Sequence, residues 1–239
     1  MYIEYIEKFN LRINDFDCHD NILMSSILDL FQDVAGKHAT KLGIGFDDLL
    51  VKNRLWAIIR TKFKILRQPK LEETIIVKTW PLPLGKVDGD RCYQILSETG
   101  EVLINGISKW VNIDINNRRL VRLNEVSYGN GDFLEGNGEE KEFTKIALFT
   151  TEGEKTKVVP SYLDIDHNGH INNTKYADYI LNNIKELHDK EILECQMEYI
   201  QELKKGQEFY LSYLKIENEF LIKGESEKGI HFIAKVLIK

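Results

Sequence analysis

Two stretches of this chain carry apolar residues at helical spacing, and each is followed by a series of alternating or β-branched runs. In the first, Ile27, Leu30, Phe31, Val34, Ala35, His38 and Leu42 share a face, with Ser25 or Ser26 as N-cap candidates and Gly43 as the stop. In the second, Tyr176, Tyr179, Ile180, Asn183, Ile184 and Leu187 do the same after Asn172 or Asn173 as cap. Strands are predicted behind the first helix at 56–66, 73–80, 91–97, 102–113 and 120–123, and behind the second at 195–203, 208–216, 220–223 and 230–238. A helix followed by an antiparallel meander is an α+β arrangement in which the sheet wraps the helix, and here it is written twice. The predicted division is 1–128 for the first unit, 129–150 for a glycine- and charge-rich linker leading into the second, and 151–239 for the second.

The loops that precede the helices repeat as well. Asp15-Phe16-Asp17-Cys18-His19-Asp20-Asn21-Ile22 and Asp164-Ile165-Asp166-His167-Asn168-Gly169-His170-Ile171 keep a constant offset, which sets Asp15, Asp17, Ile22 and Asp29 against Asp164, Asp166, Ile171 and Asp178. The second copy matches the first positions of a calcium loop. Its last ligand position, however, holds Lys175 where a bidentate glutamate belongs, and Lys157-Val158-Val159-Pro160 replaces the entering helix with a β-like approach. Neither a metal nor a cofactor is expected there. What remains is acid-base chemistry: His170 exchanges protons near neutral pH and Asn168 can donate to an oxygen. On the residues alone, the loop reads first as a set of turn and cap formers.

Composition narrows the setting. The 239 residues are 43% apolar and 29% charged, as in a soluble globular chain, and no run approaches the ~20 apolar residues that span a bilayer. The acidic, aromatic N-terminus lacks the profile of a secretory signal, so the cytoplasm is expected. Cys18, Cys92 and Cys195 are widely spaced and form no CxxC pair, which argues against disulfides and a thiolate zinc site; Cys18 and Cys195 are expected to be buried and inert. A net charge of −6 argues against nucleic-acid binding.

The motif Asp166-x-Asn168-x-His170, continuing as Ile171-Asn172-Asn173-x-Lys175-Tyr176, resembles that of the acyl-acyl carrier protein thioesterases. In the first half Arg54-Leu55-Trp56, Thr79-Trp80, Ser108-Lys109-Trp110-Val111 and Asn117-Arg118-Arg119-Leu120 stand in that family's order, so the resemblance runs from about Tyr5 to the last strand. It implies two tandem hotdog folds and hydrolysis of acyl-acyl carrier protein to free fatty acid and carrier thiol. The implied partner is acyl carrier protein presenting its acyl-phosphopantetheine thioester, with no membrane span; a homodimer is compatible with it. The implied catalytic set is Asp166, Asn168 and His170, joined by Glu202 from the pattern Glu198-Tyr199-Ile200-Gln201-Glu202-Leu203. Many plant members carry cysteine where this chain has Leu203, so water is favoured as nucleophile.

Within that set Glu202 is the candidate base with His170 polarising the water, and the reverse assignment stays open. Asn168 would hold the water or the oxyanion, Asp166 would brace the loop, and backbone N–H groups near Asn172 and Asn173 would suit an oxyanion. Strand alternation puts Glu202 with Glu198 and Ile200, opposite Met197, Tyr199 and Leu203, so its arrival at the site needs a bulge or burial of that face. The first half is expected to be scaffold and acyl pocket, because His19 and Asn21 lack the Asn-x-His order. Residues 49–71 hold Lys52, Arg54, Arg60, Lys62, Lys64, Arg67 and Lys70 without an acidic residue; Arg60, Lys62 and Lys64 share a strand face that reads either as a docking patch for an acidic carrier or as an ordinary solvated face. The same fold also admits an acyl-coenzyme A thioesterase and a non-catalytic acyl-thioester sensor.

Overall fold

One antiparallel sheet runs through the whole chain. In a computed structural model, residues 3–129, 131–137, 139, 143, 145–151 and 155–239 are described. In chain order they form β1 (Tyr5–Asn10), α1 (Met24–Lys41), α2 (Phe46–Leu50), β2 (Arg54–Ile65), β3 (Thr74–Pro81), β4 (Asp88–Ser97), β5 (Val102–Asp114) and β6 (Leu120–Val121). The second half supplies β7 (Thr156–Val158), α3 (Lys175–Asn183), β8 (Ile192–Tyr199), β9 (Phe209–Ile216), β10 (Glu219–Ser226) and β11 (Gly229–Ile238). The strands lie in the order β1-β3-β4-β5-β2-β8-β11-β10-β9-β7, with β6 on β5. Counted inward from either end, the two halves have the same topology.

The helix-and-meander arrangement expected from the pattern is present twice, with three differences. Each helix is preceded by a strand, β1 pairing with β3 and β7 with β9. Alternation in β1 is carried by half-buried positions and β7 is three residues long, so neither stands out in the sequence. Ser25 and Ser26 lie buried inside the first turn of α1, whose N-cap is Leu23. Helix α3 stops at Asn183, and Leu187 belongs to a separate 3-10 turn at Lys185–Leu187.

Aromatic side chains fix the helices to the sheet. Phe31 of α1 stacks on Tyr93 of β4 at 4.3 Å and 12°. It lies directly over Gly106, where a Cβ would come within 2.2 Å of the ring. In the second half Tyr176 lies 4.8 Å from Phe232, and Phe232 in turn covers Gly224. Such ring pairs add to the apolar area they bury, and glycine opposite each ring makes the close approach possible.

Because Tyr93 faces α1, its neighbour Cys92 and the paired Ile107 face away, where they join Trp80 in a second cluster with Leu134 and Phe143. The described residues between the halves therefore cross the outer face as a strap. Along it Ile3 N–H donates to Asp132 O at 3.0 Å and Trp80 Nε1 to Glu135 O at 2.9 Å. Asn137 Nδ2 donates to the Tyr93 and Gly106 carbonyls, and Ile146 N–H to Glu198 Oε1 at 2.7 Å. Asn130, Gly138, Glu140, Lys141, Glu142 and Thr144 of the predicted linker fall outside the described residues.

The strap corrects the expected basic docking face. Lys62 is buried, with Nζ 3.1 Å from Glu139 and 3.4 Å from Glu194. Arg60 Nε lies 3.4 Å from Glu198 and its guanidinium covers the Phe143 ring. These two cations hold the sheet and the strap together and are not open to a carrier. Replacing Lys62 by Met would leave Glu139 and Glu194 without their buried cation. A loss of about 3–5 kcal/mol is expected, measured by urea unfolding of Lys62→Met beside the parent chain.

Candidate active site

The two halves join where β2 and β8 pair, from Arg60↔Glu198 to Lys64↔Glu194. Beyond that ladder the strands part. Leu55 to Ile59 on one side and Tyr199 to Glu202 on the other line a cavity of about 740 Å³. Its inner wall is formed by Ala35, Gly36 and Ala39 of α1 with Trp110 of β5, and the loop from Asp166 to Asn173 closes its second-half side.

That loop is held by one carboxylate. Asp166 Oδ1 accepts the N–H groups of Asn168 at 2.8 Å and His170 at 3.2 Å, while Asp166 N–H donates to His170 O at 2.8 Å. The turn is completed by Gly169 at φ +78°, a left-handed position that favours glycine. The first-half loop repeats the device: Asp17 Oδ1 accepts His19 N–H at 2.8 Å and Asn21 N–H at 2.9 Å. Bridges Phe16↔Ile22 and Ile165↔Ile171 close the two copies alike. The repeated aspartates of the sequence are thus one backbone device built twice.

Glu202 reaches the cavity through a bulge. Ile200 and Gln201 both donate their N–H to His231 O, at 2.8 and 3.1 Å, so two residues oppose one and the side-chain phase resets. Glu198 stays buried under the strap, whereas Glu202 turns to the loop, its Oε2 lying 3.3 Å from His170 Nε2. The other oxygen, Oε1, accepts from Nη2 of Arg118, which comes from the turn between β5 and β6. Asp166, Asn168, His170 and Glu202 are therefore brought together. Arg118 is the addition, and its only trace in the sequence is its place in Asn117-Arg118-Arg119-Leu120. Leu203 is buried in the core, and its carbonyl accepts Ile171 N–H at 2.8 Å.

The same bulge occurs in the first half, where Leu66 and Arg67 both donate to Leu103 O at 2.8 and 3.1 Å. The residue that follows is Gln68, which accepts Ile22 N–H at 3.3 Å. His19, Asn21 and Gln68 thus occupy the places of Asn168, His170 and Glu202, and none of the three lines the cavity.

Two further expectations change. At the start of α3 Asn172 N–H donates to Asp164 O at 2.8 Å, Thr174 N–H to Asn172 Oδ1 at 3.1 Å and Lys175 N–H to Asn172 O at 3.0 Å, so the expected backbone donors narrow to Asn173, which lines the cavity. The Asn168 amide, 3.5 Å from Asp166 Oδ2, is a cavity-lining donor with an N–H to spare. Of the thiols, Cys195 is buried and its pKa is pushed up by that burial, whereas Cys18 is exposed.

Toward the first-half end of the cavity Arg91 Nη1 lies 3.0 Å from Nδ1 of buried His38. A guanidinium only donates, so His38 Nδ1 accepts and the ring is neutral. Burial first, and then the Arg91 charge, lower the His38 pKa to about 4. The unfolded chain takes up that proton near pH 6.5, so it binds more protons than the fold between about 6.5 and about 4, and stability falls as pH drops through that window. A loss of up to about 3 kcal/mol is expected, smaller in His38→Gln, by urea unfolding at pH 7 and pH 4.

Residues 3–128 match the family model of the acyl-ACP thioesterase N-terminal domain, and residues 149–233 that of the acyl-ACP thioesterase C-terminal domain. The palmitoyl-acyl carrier protein thioesterase of Gossypium hirsutum is 28% identical over 74% of this chain and 46% of its own length. The oleoyl-acyl carrier protein thioesterase 2 of Arabidopsis thaliana is 28% identical over 75% of this chain and 54% of its own length. Both plant proteins are described as chloroplastic, and the chain spans about half the length of the curated relatives it matches. An acyl-ACP thioesterase of Bacteroides thetaiotaomicron superposes with a TM-score of 0.88 at 23% identity, covering 99% of this chain and 98% of that one. The 12:0-ACP thioesterase of Umbellularia californica gives 0.86 at 18% identity, covering 99% and 97%. The fold is that of two tandem hotdog units, and the chain belongs to the acyl-ACP thioesterase family.

Proposed function

We propose that this protein hydrolyses the thioester of acyl-acyl carrier protein, releasing a free fatty acid and the carrier thiol. The observation that carries this reading is the contact of His170 with Glu202 at the mouth of a cavity whose wall is largely apolar. Residues 1–128 would supply the acyl pocket and residues 151–239 the chemistry, with the chain lying along Ala35, Ala39 and Trp110. An ionised carboxylate only accepts, so the His170 nitrogen that faces Glu202 carries the proton. This arrangement supports Glu202 as the base. It takes a proton from water as the water oxygen adds to the thioester carbonyl, and the Asn168 amide holds the oxyanion. When the C–S bond breaks, His170 Nε2–H protonates the leaving thiolate and is restored from Glu202. Asp166 braces the loop without touching the substrate, and no thiol is needed, since Leu203 lies in the core.

Because Arg60 and Lys62 are occupied, the acidic carrier is assigned to exposed Lys52, Arg119 and Arg122, the last two in the segment whose Arg118 and Leu120 line the cavity. Asn53 O accepts Ile115 N–H at 2.9 Å, which ties the Lys52 segment to the turn that bears Arg119. Free cysteines suit a reducing compartment, and the cytoplasm is proposed on that ground. Among the described residues no helix is long and apolar enough to cross a membrane.

The test is thiol release from matched acyl-carrier and acyl-coenzyme A substrates. Glu202→Gln and His170→Ala are expected to lower kcat by about 10²–10⁴-fold, and Asn168→Ala by about 10²–10³-fold. Absence of turnover by the parent chain with either substrate would overturn hydrolysis, and preference for the coenzyme A ester would change the substrate. The duplicated loops give an internal control. Asp17→Ala and Asp166→Ala should each lower stability by about 1–2 kcal/mol, but only Asp166→Ala should lower kcat.

A further inference from the structure

We propose that Arg118, contributed by the first half, is a positioning residue for Glu202 of the second half. The inference rests on the reading of Glu202 as the base. Three observations point to it. Glu202 divides its two oxygens between Arg118 and His170, so the guanidinium decides which way the carboxylate plane faces. Glu202 follows the bulge at the end of β8 and precedes the bridge of Lys204 to His170, outside the paired ladder itself, and its side chain is 43% exposed. Without a second partner it would be free to turn away from the imidazole.

The third observation concerns the Arg118 backbone. The turn from Asp114 to Arg119 is tightly made: Asp114 Oδ1 accepts the N–H groups of Asn116 and Asn117 at 3.0 Å each, and Arg118 N–H donates to Asp114 O at 2.9 Å. Closing it puts Arg118 at φ +57°, the left-handed region that glycine enters without cost and an arginine rarely adopts. Residues held in that region against their preference concentrate at functional sites. Among the described residues Asp20, Asn53, Glu72, Asp189 and Glu217 also stand in that region, and of the six Arg118 alone lines the cavity and bonds to Glu202. Glycine would make a better turn, and the side chain is what glycine would lose.

A positional role predicts a specific pattern of losses. Arg118→Gly, Arg118→Lys, Glu202→Gln and the Arg118→Gly/Glu202→Gln double variant are assayed by thiol release from acyl-carrier substrate, and their unfolding midpoints are measured. Arg118→Gly is expected to lower kcat by roughly 10–100-fold, with KM little changed and the midpoint equal to the parent's or higher. Arg118→Lys should recover part of that loss. The double variant should be no slower than Glu202→Gln alone, because Arg118 acts only through that carboxylate. A loss in the double variant equal to the product of the single losses, or a rise in KM with kcat intact, would overturn the proposal while leaving Glu202 as base. Parent-like kcat in Glu202→Gln would overturn the base assignment and this proposal with it.

Discussion

The short ladder between β2 and β8 is the constraint on which the rest of the molecule depends. It fuses two sheets into one, and it ends abruptly at Arg60 and Glu198. Both strands are irregular where it ends: β2 is bulged between Ile58 and Arg60, and the β8 chain is bulged at Ile200 and Gln201. A bulge bends its strand and increases the local twist, so the two chains diverge. The cavity occupies that divergence, and the groups that meet in it come from both halves. A continuous ladder would have sealed the place where the chemistry is assigned.

Much of the architecture was legible in the hydrophobic period. Strands β2 to β5 and β8 to β11 were found within a few residues of their ends, because most are long and carry regular burial patterns. Strands β1 and β7 were not, since pairing with β3 and β9 is what makes them strands. The site was legible in part. Asp166, Asn168 and His170 sit within five residues of one another, and the duplicated aspartates mark the loop. Glu202 was named by the resemblance against the alternation rule, which assumes an unbroken strand, and Arg118 was hidden by a sequence separation that only tertiary structure closes.

Charge was the least readable property. Arg60, Lys62 and Lys64 form a basic row in the sequence, but two of them lie under the strap, matched by Glu139, Glu194 and Glu198 from distant segments. A row of cations on a strand says that acidic groups are near. Whether those groups belong to a partner or to the same chain depends on what the rest of the chain lays across that face, and no local pattern records it.

The two loop copies have kept their backbone and parted in their side chains. His19, Asn21 and Gln68 stand where Asn168, His170 and Glu202 stand in the other half. In an assembly of two identical chains a substitution is made in both copies at once, so neither site can be given up alone. A chain that carries both copies in tandem is released from that rule. In this chain the two copies differ accordingly: one brings Asn168 and His170 to Glu202 at the cavity, and the other holds His19, Asn21 and Gln68 outside it.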